Sequence, residues 1–105
     1  MAQLVTELNI MGDAAPAWLE NYAQALRGLN RGSIRRATFK ALGKAGDMAA
    51  YMEAAARQIK RGADPDSPLT REFLKGILQT DPAFFRDLVK DAATENRHRY
   101  LDGEV

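Results

Sequence analysis

The chain has 105 residues, 46% apolar and 28% charged, with a net charge of +1, the profile of one small globular domain and not of a disordered segment. It contains no cysteine, which excludes disulfides, thiolate nucleophiles and Cys-ligated zinc or iron–sulfur sites. No apolar run approaches the roughly 20 residues that cross a bilayer. The opening MAQLVTELNIMGD has neither the cationic head nor the long apolar stretch of a secretory leader, so a cytoplasmic protein with no membrane partner is expected.

Residues 1–12 form an N-terminal arm in this reading, and residues 13–105 a single helical domain. Leu4, Thr6, Leu8 and Ile10 alternate as in a strand, while Leu4, Val5 and Leu8 suit a helical turn. A lone strand has nothing to pair with in a helical chain, so the arm is expected to be extended or frayed. A first helix starts near Asp13, with Pro16 tolerated in its first turn. Trp18, Leu19, Tyr22, Leu26 and Leu29 follow at helical spacing and form its buried stripe. Gly32 is its natural stop.

A second helix opens with Ser33 as cap and turns Ile34, Ala37, Thr38, Ala41 and Leu42 to one side. Gly43 and Gly46 are expected to break it, and Asp47 to cap a third helix that buries Met48, Tyr51, Met52, Ala55 and Ile59. Glu53 and Arg57 make an i, i+4 pair on that helix. GADPDSP reads as the longest loop. Ser67-Pro68 and Asp81-Pro82 are each a cap followed by a first-turn proline. They open a fourth helix burying Leu69, Phe73, Leu74, Ile77 and Leu78, and a fifth burying Phe84 or Phe85, Leu88, Val89 and Ala92. The fold class is therefore all-α, a compact bundle of four to five short helices joined by tight connections. REFLK at 71–75 recurs as RDLVK at 86–90, an echo too short to define a repeat.

Chemistry is hard to assemble from this residue set. His98 is the one histidine, in a polar C-terminal stretch, and has neither a cysteine nor a second histidine to work with. Asp64 and Asp66 share a loop but lack the ligand spacing of a calcium-binding loop. Gly43 and Gly46 follow no strand, as a phosphate-cradling loop would require. No enzyme activity, metal or cofactor is expected.

The uneven feature is charge. Residues 21–62 carry nine Lys/Arg against Asp47 and Glu53, a balance of +7, between flanks of −3 each. Arg31, Arg35, Arg36, Lys40 and Lys44 lie close together, and Arg57, Lys60 and Arg61 would support them if the third helix folds back beside the second. Such a face would dock on phosphates and release counterions. The second helix, glycine turn and third helix also trace a helix-turn-helix outline. In detail that outline fits poorly. The turn holds two glycines, and the third helix is Ala-rich where base contacts are usually made. The sequence pI of about 8.1 is below the value of about 9 that marks a typical DNA-binding domain. The rival class is a helical adaptor or inhibitor that occupies a larger protein, its contact patch marked by exposed apolar groups such as Ile10, Met11, Phe39 or Phe85. A homodimer fits either class.

KALGKAGDMAAYMEAA followed by DPAFFRDLV resembles small helical proteins of bacteriophages, including small DNA-packaging subunits. The resemblance implies a viral or mobile-element origin, among proteins that bind DNA, assemble into rings or block host defences. It assigns no role to any single residue.

Overall fold

The computed structural model describes residues 1–29 and 39–101, with backbone alone for residues 29, 39–43, 100 and 101. The described residues are helical apart from short turns and include no strand. They form α1 (Ala2–Met11), a 3-10 turn (Gly12–Ala14), α2 (Ala15–Leu29), α3 (Phe39–Lys60), α4 (Pro68–Thr80), α5 (Pro82–Asn96) and a terminal π-turn (Arg97–Leu101).

The arm expected at residues 1–12 is instead a helix, docked on α5. Leu4 and Leu8 are fully buried, and Val5 and Met11 nearly so, which is the helical reading of the stretch and not the alternating one. Full burial of a leucine is worth about 1.5–3 kcal/mol, enough to hold a ten-residue helix that would be marginal alone. A second anchor is Asn96, whose side-chain amide donates to the Glu7 carbonyl oxygen at 2.9 Å and to Glu7 Oε1 at 2.7 Å. Gly12 ends α1 at φ 58, a conformation open to glycine at little cost, and turns the chain into α2. Asp13 lies inside the 3-10 turn, and α2 starts two residues later at Ala15, with Pro16 in its first turn.

The largest departure from expectation is α3. Gly43 and Gly46 do not break it, and Asp47 is an exposed mid-helix residue, not a cap. Two helical glycines cost about 1 kcal/mol each relative to alanine. A break there would open two new helix ends, each with four unpaired backbone groups. It would also remove Ala45 from a stripe that continues through Met48, Ala49, Met52, Ala55 and Ala56, all nearly or fully buried. With that turn gone, the helix-turn-helix outline is not formed.

α2 and α3 run antiparallel. Arg27 meets Glu53 and Glu20 meets Lys60, so partners seven residues apart on one helix are seven apart in the opposite direction on the other. The small residues of α3 let α2 pack along it, and α4 packs on it as well. There the Tyr51 ring lies against Gly76, where a Cβ would come within 2.7–2.8 Å of ring carbons. Gly62 at φ 95 closes α3 into the loop before α4.

Both Pro-led helix starts form as expected. Ser67 is the N-cap of α4, its hydroxyl donating to Thr70 Oγ1 at 2.8 Å, and Pro68 is the first helical residue. Asp81 is the single residue between α4 and α5. Its N–H donates to Ile77 O, and its carboxylate accepts from the Phe84 N–H at 3.1 Å. Phe85 is the buried member of its pair and Phe84 is half-buried. Leu69, expected in the core, is 50% exposed because it sits in the first turn of α4, outside the Leu74–Ile77 stripe.

Candidate binding surfaces

The eight cations singled out in the sequence do not all reach the described structure. Arg31, Arg35 and Arg36 lie outside the described residues, and Lys40 is fixed only by its backbone in the first turn of α3. Lys44 is half-buried one turn further on. Arg57, Lys60 and Arg61 are exposed at the far end of the same helix and its exit turn. At 1.5 Å per residue, Lys44 and Arg57 are roughly 20 Å apart along the axis. The continuity of α3 that removes the turn therefore also prevents the second group from folding back on Lys40 and Lys44.

Neighbouring acids engage part of this charge. Lys60 Nζ contacts both carboxylate oxygens of Glu20, at 2.9 and 3.1 Å. Arg27 grips Glu53 with two parallel bonds, Nε to Oε2 at 3.1 Å and Nη2 to Oε1. Glu53 thus turns to α2 and not to Arg57, in a two-pronged pair with the Arg27 guanidinium. The Arg27 hydrogen bonds hold the Glu53 carboxyl below its usual range against a partial desolvation, with the charges of Arg27 and Arg57 adding to the effect. Arg57 and Arg61 have no ion-pair partner among the described residues.

No three His, Asp or Glu side chains among the described residues converge in a way that could hold a metal ion. His98 is exposed in the terminal π-turn. The aromatic side chains among the described residues work in packing. Trp18 tilts against Tyr22 at a 5.4 Å centroid separation, and Tyr22 meets Phe84 edge-on at 5.9 Å. The Tyr22 hydroxyl donates to Asp91 Oδ2 at 2.6 Å. Burial, then that bond, then the charges of Asp91 and Asp87 push its ionisation well above the ordinary phenol range.

A surface that sequence reasoning did not single out lies where α1, α4 and α5 meet. Two open clefts of about 480 Å³ each lie side by side there and share Met1 and Leu78. Their apolar floor is Met1, Leu78, Phe85 and Val89, with Pro68 and Pro82 at the helix starts. Arg71 and Lys75 stand along the α4 wall, and Arg86 and Lys90 along the α5 wall. Comparison with protein-family models, with curated proteins and with solved structures finds no match to this chain.

The signal for this surface was the REFLK/RDLVK echo. It puts an Arg and a Lys at i, i+4 on each of two consecutive helices, and the fold turns both pairs toward one cleft. α5 separates its charges by face. Arg86 and Lys90 line the cleft, whereas Asp87 and Asp91 act on Tyr22. On the α4 side Arg71 is tied to Asp66 at 3.2 Å, and Glu72 is the other acid on the cleft wall. Lys75, Arg86 and Lys90 have no acid within salt-bridge distance among the described residues.

Proposed function

We propose that this chain is a non-enzymatic helical module that acts by docking onto a partner protein. The observation that supports this reading is the cleft between α1, α4 and α5, which pairs an apolar floor with a cationic rim. An apolar floor is of no use to a phosphate backbone but suits a folded partner that must lose water at the contact. The resemblance to small helical phage proteins supports a phage or mobile-element origin, with action in the cytoplasm of the host cell.

A second reading, docking of the basic stretch on duplex nucleic acid, is favoured by exposed Arg57 and Arg61. Retention of generic duplex DNA at about 50 and about 200 mM salt separates the two. Protein docking predicts no retention at micromolar protein and low salt. Retention that falls steeply with salt, and is lost in Arg36→Glu/Lys40→Glu, would replace the first reading by the second.

A further inference from the structure

We propose that the α1/α4/α5 cleft is a receptor for an acidic amphipathic helix of a partner protein. The proposal deepens the protein-docking reading and rests on it. Three observations select this occupant. The floor is apolar and recessed, since Phe85 and Val89 are less than a tenth exposed and Leu78 is half-buried. A protruding apolar ridge, which a lipid surface would need, is not formed there, because the large exposed apolar side chains Ile10 and Leu69 line neither cleft.

The second observation is spacing. Arg71 and Lys75, and likewise Arg86 and Lys90, are each one helical turn apart, about 6 Å along the axis. Carboxylates at i, i+4 on a docked helix repeat at the same interval, so a helix lying along either wall can offer one to each cation of that wall. The third is vacancy of charge. Arg71 is engaged by Asp66, while Lys75, Arg86 and Lys90 have no acidic partner among the described residues. On α5 Asp91 accepts from the Tyr22 hydroxyl, and neither it nor Asp87 lines either cleft, which leaves the cleft side of that helix cationic.

A docked helix would lay its apolar face on Met1 and Leu78, above the recessed Phe85 and Val89, and present Glu or Asp outward to the walls. Lys75, Arg86 and Lys90 are the residues that read its charge. Glu72 on the α4 wall discriminates further by repelling an acid placed out of step with Lys75.

The test is selection against the full chain from a displayed library of helical peptides of about 18 residues. The peptides carry Leu, Ile or Phe on one face and Glu, Gln or Lys equally often at the flanking positions. The expected result is enrichment of Glu at the flanks. Binding of the selected peptide should weaken at least about tenfold in Lys75→Glu/Arg86→Glu/Lys90→Glu. A Lys-flanked version of the same peptide should bind that variant and not the parent. The three side chains are exposed, so an unchanged circular dichroism melt of the variant confirms that the fold is kept.

Enrichment of Lys or Gln, equal binding by the triple variant, or failure to select any binder overturns the cleft assignment. Selected peptides whose amide shifts map away from residues 71–90 overturn it too, while leaving the protein-docking reading standing. Retention of duplex DNA, or of phosphatidylserine vesicles, with no peptide selected overturns both.

Discussion

Replacing Asn96 by Asp changes one side-chain atom group and should remove much of the stability of the fold. The Asn96 side chain is fully buried, and its amide nitrogen donates to two oxygens of Glu7, one backbone and one carboxylate. Aspartate at this position offers no donor while ionised, and points a negative charge at two acceptors less than 3 Å away. A buried carboxyl in that setting has its ionisation pushed up by about three units, equivalent to about 4 kcal/mol at neutral pH. For a domain of this size the melting temperature falls by roughly 15–25 °C. The sign with pH follows from linkage. The folded-state value lies above the unfolded value of about 3.9, so the penalty is absent below that pH, grows as pH rises toward the folded-state value, and is constant beyond it. Urea unfolding at pH 7 and at pH 3.5–4, beside Asn96→Leu, measures this. The leucine variant loses the two bonds but adds no charge, and also deletes the buried Asn96 Oδ1, which has no partner. It should lose only about 1–2 kcal/mol, independent of pH. If the aspartate and leucine variants match each other at pH 7, or if the aspartate variant is indifferent to pH, the Asn96–Glu7 contact does not fasten α1.

Gly76→Ala sets helix propensity against packing. Propensity alone predicts a gain of about 1 kcal/mol, whereas collision with the Tyr51 ring predicts a net loss of about 1 kcal/mol that turns into a gain in a Tyr51→Ala background, as a double-mutant cycle will show. Glu53 has a lowered folded-state ionisation, so its contribution is present above the unfolded value of about 4.3 and lost as pH falls through the folded one. Glu53→Gln should flatten that part of the acid limb in denaturant titrations from pH 6 to 2. Tyr22 is shifted the other way. Its contribution holds below about pH 10 and is lost above, so Tyr22→Phe should show a shallower alkaline loss of melting temperature than the parent. Asp81→Ala removes the bond to the Phe84 N–H and should cost about 1 kcal/mol in urea unfolding, with Asp81→Ser recovering most of it.

What could be read from the sequence was local. Ser67-Pro68 and Asp81-Pro82 announce helix starts within two residues, because a cap and a fixed φ need no distant partner. The stripes of α2, α4 and α5 were legible for the same reason, apart from Leu69 and from Leu29, whose side chain lies outside the described residues. Two features were not. α1 is held by Asn96, 89 residues away, and by its contact with α5, so its own alternating pattern gave a misleading period. α3 persists through Gly43 and Gly46 because burial along Ala45, Met48 and Ala49 outweighs a weak local propensity. The basic stretch stood out as composition, but composition does not say how far apart the ends of a 22-residue helix hold their charges. The cleft lay in plain view as the REFLK/RDLVK echo. Its meaning came only from the corner at Asp81, which sets the two copies facing one space.

That corner leaves no slack in the chain. Asp81 finishes one helix and begins the next, and each of its polar groups named above is already committed to one of them. The two walls therefore hold a preset width before anything arrives. A docked helix would forfeit little freedom on the receptor's side, and one that needs the two helices set further apart would find no spare residue at the junction to part them. Lengthening the junction by a pair of glycines would trade that selectivity for tolerance.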